Sequence, residues 1–219
     1  MGFSLRDLIF LPKGICLCCR EENAKDYICE NCQNSLEKVY DFRVIEDCTC
    51  YSPYLYSGHI KRLIGEFKFK EKKYYGKLFA KLLEDFYNLY NLKYDILVPI
   101  PLTNKKVLKR GFNQCEVICK FLSDRIKVPY NKDILIKIKD TPDQHLLNME
   151  KRRNNLSSAF KVNIFEELLD KKILLVDDIM TSGYTLEYCI KNLKLAGYKN
   201  IDCIVIGKAK PESLFKRRI

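Results

Sequence analysis

Residues 173–185 read Ile-Leu-Leu-Val-Asp-Asp-Ile-Met-Thr-Ser-Gly-Tyr-Thr. An apolar run delivers two adjacent carboxylates, then small hydroxylated residues and a glycine. Successive backbone N–H groups from Thr181 to Thr185 can form an anion nest at a helix N-terminus, where the helix dipole adds to their pull and the Thr and Ser hydroxyls add donors. The carboxylates of Asp177 and Asp178 can accept hydrogen bonds from a diol, which a site for bare phosphate does not need. The set suits a sugar phosphate. A single aspartate here would mean no more than a helix cap; two acids ahead of Thr-Ser-Gly-x-Thr are far more specific.

A second set of chemically able residues lies near the start of the chain. Seven of the eleven cysteines fall within the first 52 residues. Cys16-x2-Cys19 and Cys29-x2-Cys32 are separated by nine residues. Each pair puts two thiolates on one tight knuckle, and two knuckles complete a tetrahedral zinc site. Cys18 competes with Cys19 for the fourth place, and Cys48-x-Cys50 is too contracted to count as a second site. A closed four-thiolate site leaves no open position for chemistry, so its role is folding and scaffolding. The later cysteines (Cys115, Cys119, Cys189, Cys203) read as small core residues. Residues 1–15 carry neither a basic leader nor a cleavage site, and no apolar run reaches the roughly 18 residues of a spanning helix. These features predict a soluble, cytoplasmic protein without membrane insertion, in which clustered cysteines favour metal over disulfides.

Charge is distributed unevenly. Residues 1–60 hold 6 Lys+Arg against 9 Asp+Glu, and residues 61–219 hold 33 against 19. The second figure amounts to +14, an excess that attracts polyanions. It is densest in residues 61–81, where Lys68, Lys70, Lys72 and Lys73 are interleaved with Phe67, Phe69, Tyr74 and Tyr75. Cations beside aromatic faces suit single-stranded nucleic acid. An amphipathic helix with a solvated lysine face fits the same residues, and both readings stand.

These groups must be held by ordinary globular sequence, and 47% hydrophobic residues suffice for a core. Tyr51–Ser57 reads as a short strand. Ile60, Leu63, Ile64 and Phe67 mark a helix, as do Leu78, Phe79, Leu82, Leu83, Phe86 and Leu89. Tyr94–Ile100 is a buried strand, Phe112–Ile126 a helix and Ile134–Ile138 a strand. Lys172–Val176 is a second buried strand, followed by a loop, a helix to about Ala196 stopped by Gly197, and a strand from Ile201 to Ile206. Strand–loop–helix–strand at these lengths predicts an α/β fold with a parallel sheet. Ligands of such sheets bind beyond the carboxyl ends of the strands, here after Ile100 and after Val176.

The acidic loop resembles the ribose-phosphate loop of type I phosphoribosyltransferases. More particularly, the chain resembles the ComF family of competence-associated phosphoribosyltransferase-like proteins. The matching residues are Phe67-Lys68-Phe69-Lys70, Val98-Pro99-Ile100-Pro101-Leu102 and Arg110-Gly111-Phe112-Asn113-Gln114. They continue with Thr141, Gln144, Arg152, Asn155 and Ala159-Phe160, and end in the acidic loop. The resemblance implies a type I phosphoribosyltransferase-like sheet flanked by helices (residues 53–219), preceded by a zinc module (residues 1–52). It also implies binding of 5-phosphoribosyl-1-pyrophosphate (PRPP) with magnesium, and a role in handling single-stranded DNA during natural transformation, with other competence proteins as partners. Asp177 and Asp178 would hold the ribose hydroxyls. Thr181, Ser182, Gly183, Tyr184 and Thr185 would cradle the 5′-phosphate. Pro101 and Leu102 would face the pyrophosphate, with Lys105, Lys106 and Arg110 in reach. The stretch from Lys139 to Arg153, with Thr141, Gln144 and Arg152, would be a flap. Tyr184 stands where the family has a small residue, and Lys106 and Lys139 where arginine is common. A PRPP-dependent transferase, a retired enzyme serving as nucleic-acid adaptor, and a nucleobase-salvage enzyme are the readings carried forward.

Overall fold

The computed structural model describes residues 14–21, 24, 26–68, 72–139 and 159–210. Its centre is a five-stranded sheet in the order β1-β2-β7-β6-β3. Strands β3 (Ile96–Pro99), β6 (Lys172–Met180) and β7 (Asn200–Lys208) run parallel to one another and to β2 (Cys48–Leu55). β1 (Lys38–Ile45) closes one edge as the antiparallel half of a hairpin. The hairpin turns at Glu46 and Asp47, both at positive φ (51° and 63°), the backbone that two-residue hairpin loops need. β4 (Leu135–Lys137) and β5 (Phe160–Val162) form a separate two-stranded ribbon.

Helices cover the sheet. α1 (Glu30–Asn34) belongs to the cysteine segment; α2 (Gly58–Phe67), α3 (Tyr75–Leu89), α4 (Asn104–Arg110), α5 (Gln114–Ile126) and α6 (Tyr184–Leu195) follow in order, with a 3-10 turn at Glu166–Leu168. Side chains of β6 alternate between two cores: Leu174 and Val176 pack with α2, α3 and α5, while Ile173 and Leu175 pack with Ile190 and Leu193 of α6. Each such side chain, fully buried, contributes about 1.5–3 kcal/mol. The parallel α/β arrangement matches the sequence expectation, and β6–α6–β7 is the expected strand–helix–strand unit.

Three details depart from the sequence reading. β1 lies in a stretch read as turn-rich, because its exposed edge, with Phe42 and Val44 open to solvent, erases the alternation that would mark it. β6 does not end at Val176 but continues through both aspartates to Met180. A boundary at residue 52 falls inside β2, and the described residues of the cysteine segment form no core of their own. Cys16, Leu17, Cys18, Cys29 and Cys32 are buried in the same cluster as α2, α3 and α5. Among the described residues no helix is long and apolar enough to cross a membrane.

Candidate active site and cysteine cluster

At the carboxyl end of β6 the two aspartates are treated differently. Asp178 is buried, and its Oδ2 accepts Nε2 of Gln114 at 3.1 Å and the Lys68 ammonium at 2.9 Å. Gln114 is oriented by Arg110, which donates to its Oε1. The Asp177 carboxylate accepts the Asp178 backbone N–H at 2.8 Å and the Cys115 thiol at 3.2 Å. Desolvation of its enclosed carboxyl, reinforced by the neighbouring Asp178 charge, pushes Asp177 up from 3.8 to about 7. Burial and the same two acids push the Cys115 thiol well up, so it stays a protonated donor.

Asp177 lines a small open pocket whose other walls are residues 179–186. Gly183 is the N-cap of α6, with φ 87°. Its backbone sits against β1: a Cβ there would stand 3.3 Å from Ile45 Cδ1 and 3.8 Å from Arg43 Nη1. Thr181 and Ser182 are exposed, and Tyr184 and Thr185 are half-buried in the first turn of α6.

The Arg110–Gln114 motif is a hinge between two helices. Arg110 ends α4, Gly111 turns the chain at φ 88°, and Asn113 caps α5 by accepting the Cys115 N–H at 3.0 Å. The Asn113 amide also donates to the Ile100 carbonyl at 3.0 Å, tying the motif to the end of β3. Phe112 is buried against the Phe67 ring at 5.5 Å. Pro101 and Leu102 form the connection into α4, and Thr103 caps that helix. Lys105 and Lys106 lie on its first turn.

Residues 70–218 match the family model described as phosphoribosyl transferase domain. Over 217 residues the chain is 27% identical to Competence protein F of Haemophilus influenzae, covering 93% of this chain and 94% of that protein. The chain is a ComF-family phosphoribosyltransferase-like protein. Competence protein ComFC of Bacillus subtilis is 24% identical over 189 residues, 82% of this chain and 71% of its own. The DNA utilization protein YhgH of Escherichia coli (strain K12) is 29% identical over 92 residues, 42% of this chain and only 40% of that protein.

In this ComF-family chain the thiols of Cys16, Cys19, Cys29 and Cys32 lie within 4.8 Å of one another. The Cys19–Cys29 sulfur separation is 3.9 Å. Tetrahedral zinc with bonds of 2.3 Å would place its sulfurs about 3.8 Å apart, so the group fits a zinc ion. Backbone N–H groups of Cys18 and Cys29 point at the Cys16 sulfur, at 3.4 and 3.3 Å. Burial opposes ionisation of Cys16, yet N–H groups of Cys29, Cys19 and Cys18 outweigh it and bring the thiol down to about 7. Cys32 is driven far up by burial and by neighbouring thiols; a cation would relieve that repulsion. Of the two candidates, the Cys19 thiol belongs to this group and the Cys18 thiol does not; Arg62 Nη2 donates to the Cys18 carbonyl at 2.6 Å and to its sulfur at 3.3 Å. Cys48 and Cys50 are buried in β2 outside this group, with the Cys50 thiol on Met180 Sδ at 3.7 Å.

The basic segment is largely engaged within the protein. Lys68, partly exposed, pairs with Asp178 at 2.9 Å, and Lys72 pairs with Glu66 at 3.2 Å. Lys73 lies 5.7 Å from the Phe112 ring centroid. Phe67 and Tyr75 are core residues. Lys70 and the flap residues Thr141, Gln144 and Arg152 lie outside the described residues. Sequence reasoning missed Cys115 as a partner of Asp177, Lys68 as a partner of Asp178, and Arg43 and Ile45 beside Gly183. The run of Gln114 and Cys115 at the start of a helix was the only available signal for the first; contacts to β1 left none.

Proposed function

We propose that the chain binds PRPP with magnesium at the end of β6 and supports DNA uptake by handling single-stranded DNA. The observation that carries this reading is Asp177 opening onto the 179–186 pocket while Asp178 is tied back by Gln114 and Lys68. Asp177 would accept the ribose hydroxyls, and the N–H groups of residues 181–185 would take the 5′-phosphate. Lys105, Lys106 and Arg110, on the helix beyond Pro101 and Leu102, would face the pyrophosphate and oppose its charge as it leaves. Magnesium, bound with PRPP, supplies further neutralisation of the pyrophosphate oxygens. Zinc on Cys16, Cys19, Cys29 and Cys32 would fix the knuckles against α2 and take no part in chemistry.

If turnover is retained, the phosphoribosyl group passes to a nucleophile with loss of pyrophosphate. The lysine on Asp178 favours a second reading, a domain that binds without catalysing. Calorimetry with PRPP and magnesium, then a pyrophosphate-release assay across nucleophilic acceptors, separates the two. Binding with release supports the transferase, binding alone the adaptor. Absence of PRPP binding by the parent chain overturns the phosphoribosyl reading.

A further inference from the structure

We infer that Arg43, on the edge strand β1, is a 5′-phosphate contact that makes the site selective for phosphomonoester-bearing sugars. The inference deepens the phosphoribosyl reading and rests on it. Arg43 and Ile45 are two residues apart on β1, so their side chains leave on one face. Both meet the same spot: a Cβ on Gly183 would be 3.3 Å from Ile45 Cδ1, 3.8 Å from Arg43 Nη1 and 3.9 Å from its Cζ. The guanidinium therefore stands where a side chain on Gly183 would project, beside the N-cap of α6 in the middle of the 181–185 segment. Ile45 fixes the approach of β1, and Arg43 brings charge to it.

The acids nearest to Arg43 along the strand are occupied. Asp41 pairs with Lys208 at 2.8 Å, and Glu46 pairs with Lys191 at 3.4 Å. Arg43 itself is exposed and pairs with no described acid. An arginine fork presents parallel N–H donors matched to phosphate oxygens, and such charge-assisted pairs are about twice as strong as neutral ones. Backbone N–H groups of the loop supply direction but little net charge. A dianionic phosphomonoester accordingly gains a counter-charge here that pyrophosphate, proposed to lie toward Pro101 and α4, does not meet. The hairpin thereby contributes a specificity residue from outside the 70–218 family match.

Calorimetry on the full chain tests this, using ribose 5-phosphate and inorganic pyrophosphate as separate probes in magnesium buffer. Arg43→Ala should weaken ribose 5-phosphate roughly tenfold and leave pyrophosphate unchanged, with Arg43→Lys between parent and alanine variant. Equal affinity of parent and Arg43→Ala for ribose 5-phosphate overturns the assignment. So does an equal loss for both probes, which would mark a general field effect. Failure of the parent to bind PRPP defeats the phosphoribosyl reading itself, a result visible before any variant is made.

Discussion

Asp177 is expensive to keep charged, and this leads to a pH test. Its folded pKa of about 7 lies above the ordinary 3.8, so the folded chain holds this proton more tightly than the unfolded one. The stability that proton provides is full below about pH 4 and is lost as pH rises through 7. Asp177→Asn has no charge to desolvate. In magnesium-free buffer its urea-unfolding stability should match the parent near pH 4 and exceed it by up to about 4 kcal/mol near pH 8, while PRPP affinity falls. A difference independent of pH would mean that Asp177 is not strained by its charge. Gly183 shows how a residue can be right for a reason other than the one sequence suggests. Glycine there suits a phosphate nest, but its φ of 87° and the 3.3 Å approach of Ile45 already demand it.

α2 links the two ends of the protein. At its cysteine side, Arg62 holds Cys18, and Arg20 reaches Glu66. Burial of Glu66 is outweighed by the Tyr75 hydroxyl, Lys72 and Arg20, which keep its carboxylate below the usual range. Lys68, just past the last turn of α2, reaches Asp178. The knuckles thus brace the helix that places a cation at the paired aspartates. Atomic absorption should find one zinc per chain in the parent and none in Cys32→Ser. The substitution should also lower the single thermal transition of the whole chain, since Cys16, Cys29 and Cys32 share a core with α2 and α3. Two separate transitions, or a main transition at the parent's temperature, would show that the knuckles are an independent unit.

For the whole molecule, the +11 net charge sets attraction to polyanions, and the fold decides which cations remain available. Lys68 is committed to Asp178, whereas Lys73 is exposed. Lys73→Gln should therefore reduce the salt slope of single-stranded DNA binding by about 0.7, and Lys68→Gln should leave that slope alone while lowering PRPP affinity. The reverse pattern, read by fluorescence anisotropy across salt concentrations, would return Lys68 to the DNA surface. By itself the sequence determined the parallel α/β fold, because its buried strands and amphipathic helices are local periodic patterns in which neighbours decide neighbours. It likewise marked the paired aspartates and the two cysteine pairs, whose chemistry is tied to short spacing. Only the tertiary structure decided that β1 joins the sheet, that Cys19 and not Cys18 completes the thiol group, and that Lys68 and Gln114 hold Asp178. The last two of these outcomes involve contacts between residues 44 to 110 positions apart in the chain. Their energies come from burial and charge pairing at one place in space, which no local pattern encodes.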